Sequence, residues 1–232
     1  MLSVGEAIMG RQSIRAFDSS KIVDFETIDL VLAQGSRAPN GSNIQPWHVH
    51  VLTGAGLRDF SGEIERAHQH DATEVRDYAY YMEAWRDPYL GRRRSTGWGL
   101  YGRLGIQKSD KAAMKAQQGR NYRFFDAPVG LIVTMDRDMG QGAWLDMGAF
   151  VQTILLAARG AGLEACPIAA FCNFPGRIRS LLNLPHDALI VTGIALGYPC
   201  TDAVVNQFRT PRRSVPEFTT YHDTLPMQVA AE

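Results

Sequence analysis

Apolar residues recur along this chain in two rhythms, one of three to four residues and one of unbroken or alternating runs, and the two alternate from end to end. Ser3 and Glu6 form an S-x-x-E capping box, which predicts a short helix running toward Gln12. Asp24 caps a second predicted helix with Ile28, Val31 and Leu32 on one side, stopped near Gly35. Residues 38–47 hold two prolines, a glycine and two asparagines and read as a loop. "WHVHVLT" then reads as a strand and residues 56–85 as helical and charged. Residues 86–110, rich in Gly, Arg and aromatics, fit no packed element, so a lid, a binding loop or a disordered piece is expected. "PVGLIVTM" is a buried strand by its β-branched run. Residues 141–160 are helical and apolar nearly all round, which suits a core helix or one at a subunit interface. "LEACPIAAF" is a strand, Pro175 opens a helix through Leu182, and "ALIVTGIALGYP" is a further strand. From Thr201 the chain turns polar and Pro-dotted, with too little apolar content for a core of its own, so it must wrap on something. No repeat or linker divides the chain, and the alternation predicts one three-layer α+β domain over residues 1–232.

Composition narrows the partners. The 24 Lys+Arg balance the 24 Asp+Glu, so no global field favours nucleic acid or an anionic membrane, and any anion site is local. Three cysteines without a CxxC pair suit a reducing compartment. The opening carries Glu6 and no basic stretch, so a signal peptide is not expected. The most apolar run, 147–158, is shorter than the ~20 residues a bilayer demands. Together these predict a cytoplasmic protein.

Candidate chemistry is sparse outside the arginines. His48 and His50 share a strand face, but no carboxylate or cysteine nearby in sequence completes a ligand set, so no metal is expected. Cys166 sits in an apolar strand with no adjacent base and reads as a buried, inert thiol. No GxSxG or P-loop is present. Arg11, Ser13 and Arg15 follow directly on the first helix. Guanidinium forks suit phosphate oxygens, and equally a cation at a helix end meets the negative dipole. Arg209, Arg212 and Arg213 in a tail that must pack on the body shift the balance toward two basic clusters meeting on one phosphate. Asn40, Ser42, Asn43 and Gln45 add donors and acceptors suited to a heterocycle, or simply make turns.

The series R-x-S-x-R-x-F at Arg11–Phe17, "AP…N-x-Q-P-W", "APVGLIVT", "DMGAFVQTILLAARGAGL", "CPIAAF", "LIVTGIALGYP" and N-x-F-R-x-x-R resembles the nitroreductase family of FMN-dependent oxidoreductases. The likeness spans nearly the whole chain apart from residues 70–110, and the 86–110 excursion is similar to that of nitroaromatic and nitrobenzoate reductases. The resemblance implies a three-layer fold with a mainly antiparallel or mixed sheet, a homodimer with FMN at its interface, and a tail, 201–232, wrapping the partner.

Carried onto this chain, the resemblance implies that Arg11, Gln12 and Ser13 hold the FMN phosphate or ribityl chain, joined by Arg209 and Arg212, while Arg15 reaches the N1–O2 edge. Pro39, Asn40, Gly41 and Asn43 would complete the cofactor set, with Pro39, Asn40 and Asn43 coming from the other subunit. The main chain of Ala169 and Ala170 would lie beside flavin N5, where many relatives carry Glu-Gly; a backbone donor survives that change. Arg120 and Arg123 would reach the ring. Trp98, Tyr101 and Arg103 would bind substrate from a lid, the aromatics stacking on a planar ring and the cation pairing with a carboxylate. The implied activity is two-electron reduction of nitroaromatics, nitrobenzoate included, to nitroso and hydroxylamine products by NAD(P)H in a ping-pong cycle, with no acid–base side chain. Enone or quinone reduction, reductive dehalogenation, or a non-catalytic flavin-binding role are the alternatives on the same scaffold.

Overall fold

The computed structural model describes residues 2–223; the end of the expected wrapping tail, residues 224–232, lies outside them. Helix α1 (Val4–Gly10) begins at the anticipated capping box, with both arms closed: Glu6 N–H donates to Ser3 Oγ (3.2 Å) and Ser3 N–H to Glu6 Oε2 (2.7 Å). Helix α2 (Phe25–Gly35) is capped by Asp24, whose Oδ1 accepts from Thr27 N–H at 2.6 Å. The chain continues through β1 (His48–Thr53), α3 (Gly54–Gln69), α4 (Tyr89–Arg103), α5 (Lys111–Gly119), β2 (Val129–Asp136), α6 (Gln141–Gly160), β3 (Glu164–Ile168), α7 (Pro175–Leu181) and β4 (Ala188–Gly197).

The four strands pair in the order β1-β2-β4-β3, and every neighbouring pair is antiparallel. Both faces are covered, which is why β2 and β4 read as continuous apolar runs. Val129, Leu131, Val133 and Met135 pack with residues of α2 and α6 on one side. Ile132 packs on the other with Phe60 and Ile64 of α3 and Phe124 of the 3-10 turn 120–126. The three layers anticipated from the alternation are therefore present.

Gly193 on β4 is where the second core is tightest. A Cβ there would lie 2.3 Å from the Phe171 ring, inside any tolerable contact. Gly193→Ala is expected to cost about 1–3 kcal/mol of stability, as overpacking does, read as a lower denaturation midpoint with an unchanged slope.

Two expectations need correction. The helical reading of 56–85 holds only to Gln69. The helix closes there through His70 N–H to the Arg66 carbonyl and Ala72 N–H to the Ala67 carbonyl, with Asp71 left-handed. Beyond it, Glu74, Asp77 and Tyr78 are held by distant partners rather than by helical neighbours. Conversely, residues 86–110 are not irregular throughout, because α4 occupies 89–103. Asp87 Oδ1 accepts from Gly91 N–H near its start (3.1 Å), and Gly99 leaves room for Phe208, which a Cβ would meet at 2.7 Å. No residue of α4 is buried. Gly97, Gly99 and Gly102 stand at G-x-G-x-x-G spacing, but inside this helix and not at a strand–helix turn, so they form no dinucleotide fingerprint.

Candidate active site

A bulge in the central sheet places the first wall of the site. Val133 pairs with Thr192 and Thr134 with Ile190, so Val191 has no partner on β2. Its carbonyl accepts instead from the Tyr78 hydroxyl (2.8 Å) and the Cys172 thiol (3.2 Å). Burial keeps both groups protonated to higher pH than usual. Tyr78 thereby anchors the irregular segment 76–82 over the end of β3, and a cavity of about 410 Å³ opens between them. Arg15 and the turn Ala169–Ala170 line it, as do Arg76, Tyr80 and Tyr81. The juxtaposition of Arg15 with Ala169 and Ala170 is the one expected from the sequence.

The second feature is a knot of guanidinium groups at the end of α1. Arg209 of the tail donates to the Gly10 carbonyl (3.5 Å), bringing the two basic segments of the chain together across 199 residues. Arg159, from the last turn of α6, lies against Gly10 and pairs with Glu164 of β3. Burial raises the Glu164 carboxyl above its ordinary value, and Arg159, Arg11 and Arg209 all pull it down. Glu164 thus pairs with Arg159 and lies in the field of Arg11 and Arg209, an excess of two positive charges among the described residues. Gln12 Oε1, Arg159 Nε and Glu164 Oε2 are buried without a hydrogen-bond partner among the described residues. Gln12 was anticipated as a ligand; Arg159 and Glu164 were not, because nothing in their spacing announces a pair.

Asn206 joins the tail to the first wall. Its Oδ1 accepts from Arg15 N–H (2.8 Å), and its Nδ2 donates to the carbonyls of Ala16 (2.8 Å) and Cys200 (2.9 Å). Arg15 also donates from Nη1 to the Ser13 carbonyl at 3.2 Å.

Other expected residues fall elsewhere. The loop bearing Pro39, Asn40, Gly41 and Asn43 sits on α6, where Gly41 N–H donates to Asp146 Oδ1 (3.1 Å) and Trp47 stacks on Phe150 at 4.5 Å. Asn40 Oδ1 accepts from Gln45 N–H (2.9 Å), and Ser42, Asn43 and Gln45 are all left-handed. Non-glycine residues in that region are strained, and Pro39, Gly41 and Asn43 are exposed. None of the four lines the Arg15 cavity of its own chain. Arg212 turns to its neighbour Thr210 (2.7 Å) and is exposed. Arg120 and Arg123 pair with Asp126 (3.0 and 3.2 Å), leaving Asn121 rather than either of them in the cavity. Trp98, Tyr101 and Arg103 are also outside it, because α4 directs Trp98 toward Tyr101 and Lys108 and brings Tyr101 Oη to Gln118.

Residues 8–198 match the Nitroreductase family. The chain belongs to that family. It is 40% identical over 217 residues to a 4-nitrobenzoate reductase of Nocardioides sp. strain LMS-CY, covering 92% of this chain and 87% of that one. It is 36% identical to a 4-nitrobenzoate reductase of Pseudomonas putida, covering 91% and 92%. Its fold superposes with a TM-score of 0.91 on the FMN and NADPH-dependent nitroreductase NfnB from sphigopyxis sp. strain HMH, at 33% identity over 96% of this chain and all of that one.

The residues present fit the cofactor this family implies. The excess positive charge suits a phosphate monoester, which carries about −1.5 to −2 near neutrality, and the orphaned Gln12 Oε1, an acceptor, suits a hydroxyl donor such as those of a ribityl chain. The cavity offers main-chain groups and two cations, Arg15 and Arg76, of which Arg15 lies with the Ala169–Ala170 turn for a polar ring. Cys166 lies under both features and stays inert. Burial pushes its thiol from 9.0 up to about 11, with Arg15, Ser13 and Arg11 acting in the opposite direction. Native protein at pH 8 is therefore expected to alkylate at the half-buried Cys200 and not at Cys166, whose thiolate is about a hundredfold rarer than for an ordinary thiol. Peptide mapping before and after denaturation checks this.

Proposed function

We propose that this chain is an FMN-dependent NAD(P)H oxidoreductase that reduces nitroaromatic compounds to nitroso and hydroxylamine products. The observation that carries the reading is the pairing of the Arg11–Arg159–Arg209 knot with the Arg15–Ala169–Ala170 cavity in a chain of this family. Arg11 and Arg209, with Gln12 and Ser13, hold the phosphate and ribityl end. Arg15 sets a fixed positive charge at the ring and stabilises negative charge that develops there. Ala169 and Ala170 present main-chain donors, so the Ala-Ala pair performs this positioning without a side chain. When bound, FMN supplies the two-electron chemistry between NAD(P)H and the nitro group. No side chain transfers a proton in this scheme; the protein orients the reactants and shields them from water. The test is anaerobic: NADH or NADPH bleaches the yellow protein and a nitroarene restores its colour. Protein loaded with FMN that neither donor bleaches would sink the reading.

The functional unit in this reading is a homodimer of single-domain chains. Ile8 and Met9 of α1 and Leu145 of α6 are exposed by 50%, 80% and 79%, and α4 buries nothing. Such surfaces mark an interface. The loop at Pro39, Asn40, Gly41 and Asn43 would then meet the partner's flavin, and α4, with Trp98, Tyr101 and Arg103, would cover the partner's cavity as the tail wraps it. No helix among the described residues is long and apolar enough to cross a membrane, which suits a cytoplasmic setting. Light scattering is expected to give twice the 25.7 kDa chain mass. An FMN-loaded monomer would overturn the shared site.

A further inference from the structure

We propose that Arg76 is the specificity-determining residue of the cavity, recognising a carboxylate on the aromatic substrate. This rests on the nitroreductase reading above and names the class of substrate: nitroarenes that carry an anionic group.

The argument starts from charge. Arg15 and Arg76 both line the cavity. Arg15 comes from the segment after α1 and is tied to Ser13 and Asn206. Arg76 comes from the irregular segment after α3, and among the described residues it has neither an ion pair nor a hydrogen bond. The acids beside it in sequence are already committed. Glu74 Oε2 accepts from Gly176 N–H (2.7 Å), and its Oε1 pairs with Arg177 (3.1 Å). Asp77 is clamped between Arg137 (2.8 Å) and Arg179 (2.7 Å), and its carboxyl is held low by those two cations despite burial. Glu83 lines the adjoining outer cavity together with Arg76 and Arg93, and no ion pair joins it to either among the described residues. Arg93 is itself laid over Trp85 at 4.6 Å.

The same commitments fix the geometry. Glu74 and Asp77 pin the chain two residues before and one residue after Arg76, and Tyr78 holds it to Val191. The guanidinium therefore hangs from a backbone held on both sides, which lowers the ordering cost of binding. A guanidinium fork suits a carboxylate through two parallel N–H···O bonds. Tyr80 and Tyr81 line the same cavity, packed edge to face at 4.7 Å, and offer aromatic surface to a planar ring. An unpaired cation, two phenols and a ring-sized cavity together select an aromatic carboxylate over a neutral arene. Arg76 supplies this cation from within the chain's own cavity, separately from Arg103 of α4.

The test uses FMN-loaded enzyme, with 4-nitrobenzoate against its methyl ester as the neutral counterpart. The parent is expected to prefer the acid, with the preference shrinking as salt is added. In Arg76→Gln the ratio of kcat/KM for acid to ester is expected to fall about 10- to 100-fold, mainly through KM, and Arg76→Lys to recover part of it. Binding of benzoate, followed by perturbation of the flavin spectrum, is expected to weaken by the same factor and needs no turnover. Equal losses for acid and ester, or no change in benzoate affinity, would overturn the assignment. If the parent binds benzoate in an Arg76-dependent way but reduces no nitroarene, the anion site stands and the nitroreductase reading falls.

Discussion

An Arg11→Ala, Arg209→Ala double variant is expected to lose FMN on dialysis, with its dissociation constant raised about 100- to 1000-fold. Each guanidinium in a charge-assisted hydrogen bond contributes about 1.5–3 kcal/mol. Arg209 is exposed, so the lower part of that range applies to it. Together they reach about 3–4 kcal/mol, which is that change in affinity. The physical cause is the charge balance at the end of α1. Three guanidiniums oppose one carboxylate in the parent, and removing two leaves Arg159 already paired with Glu164, with nothing left over for a phosphate. Arg212→Ala is the contrasting case. Among the described residues that side chain bonds to Thr210 and Pro211 alone and it is exposed, so its loss is expected to change FMN affinity by less than about threefold. Fluorescence titration measures all three variants, and riboflavin provides the control. The double variant's defect is expected to vanish with riboflavin, which has no phosphate. A double variant that binds FMN as the parent does would move the phosphate elsewhere.

The parts of this molecule that the sequence makes legible are those whose causes are local. The Ser3–Glu6 box, the Asp24 cap, the apolar runs of β2 and β4 and the proline opening α7 each depend on residues within a few positions. Residues 70–85 read as helical in sequence because their charges fit a helix surface. Their actual path is set by Glu74, Asp77 and Tyr78 bonding to groups 102, 102 and 113 residues away, which no local pattern reveals. Helix α4 was missed for the opposite reason. Its glycines argue against a helix, yet Gly99 is required where Phe208 packs. In the site, Arg11, Arg15 and Arg209 were visible because guanidiniums in a neutral chain call for a local anion. Nothing in the sequence singles out Arg76, because only the fold commits its neighbouring acids Glu74 and Asp77 to other partners. Glu164 is likewise unmarked by its spacing, and only the fold pairs it with Arg159 and sets it in the field of Arg11 and Arg209, beside the proposed phosphate site.

Asn206→Leu is expected to be the most damaging single change in the described tail, costing about 3–5 kcal/mol. The side chain is 7% exposed and satisfies three backbone groups at once: the Arg15 N–H and the carbonyls of Ala16 and Cys200. A buried polar group left without a partner costs about 1–3 kcal/mol, and leucine offers none of the three a substitute. Against a typical total of about 5–15 kcal/mol, that is a large share of the stability. Asn206→Asp discriminates further. It keeps the acceptor for Arg15 but removes both donors and sets a carboxylate against two carbonyl oxygens, so it is expected to be at least as destabilising above the carboxylate's pKa and less so below it. The consequence for function follows from position, because the same amide fixes Arg15 at the cavity and holds the tail that brings Arg209 to Gly10. Both ends of the proposed flavin site should loosen together. Chemical denaturation, FMN occupancy and limited proteolysis near Arg209 are the measurements. A variant with parent stability, full FMN and a protected tail would mean that packing of Val205 and Phe208, rather than this amide, anchors the tail.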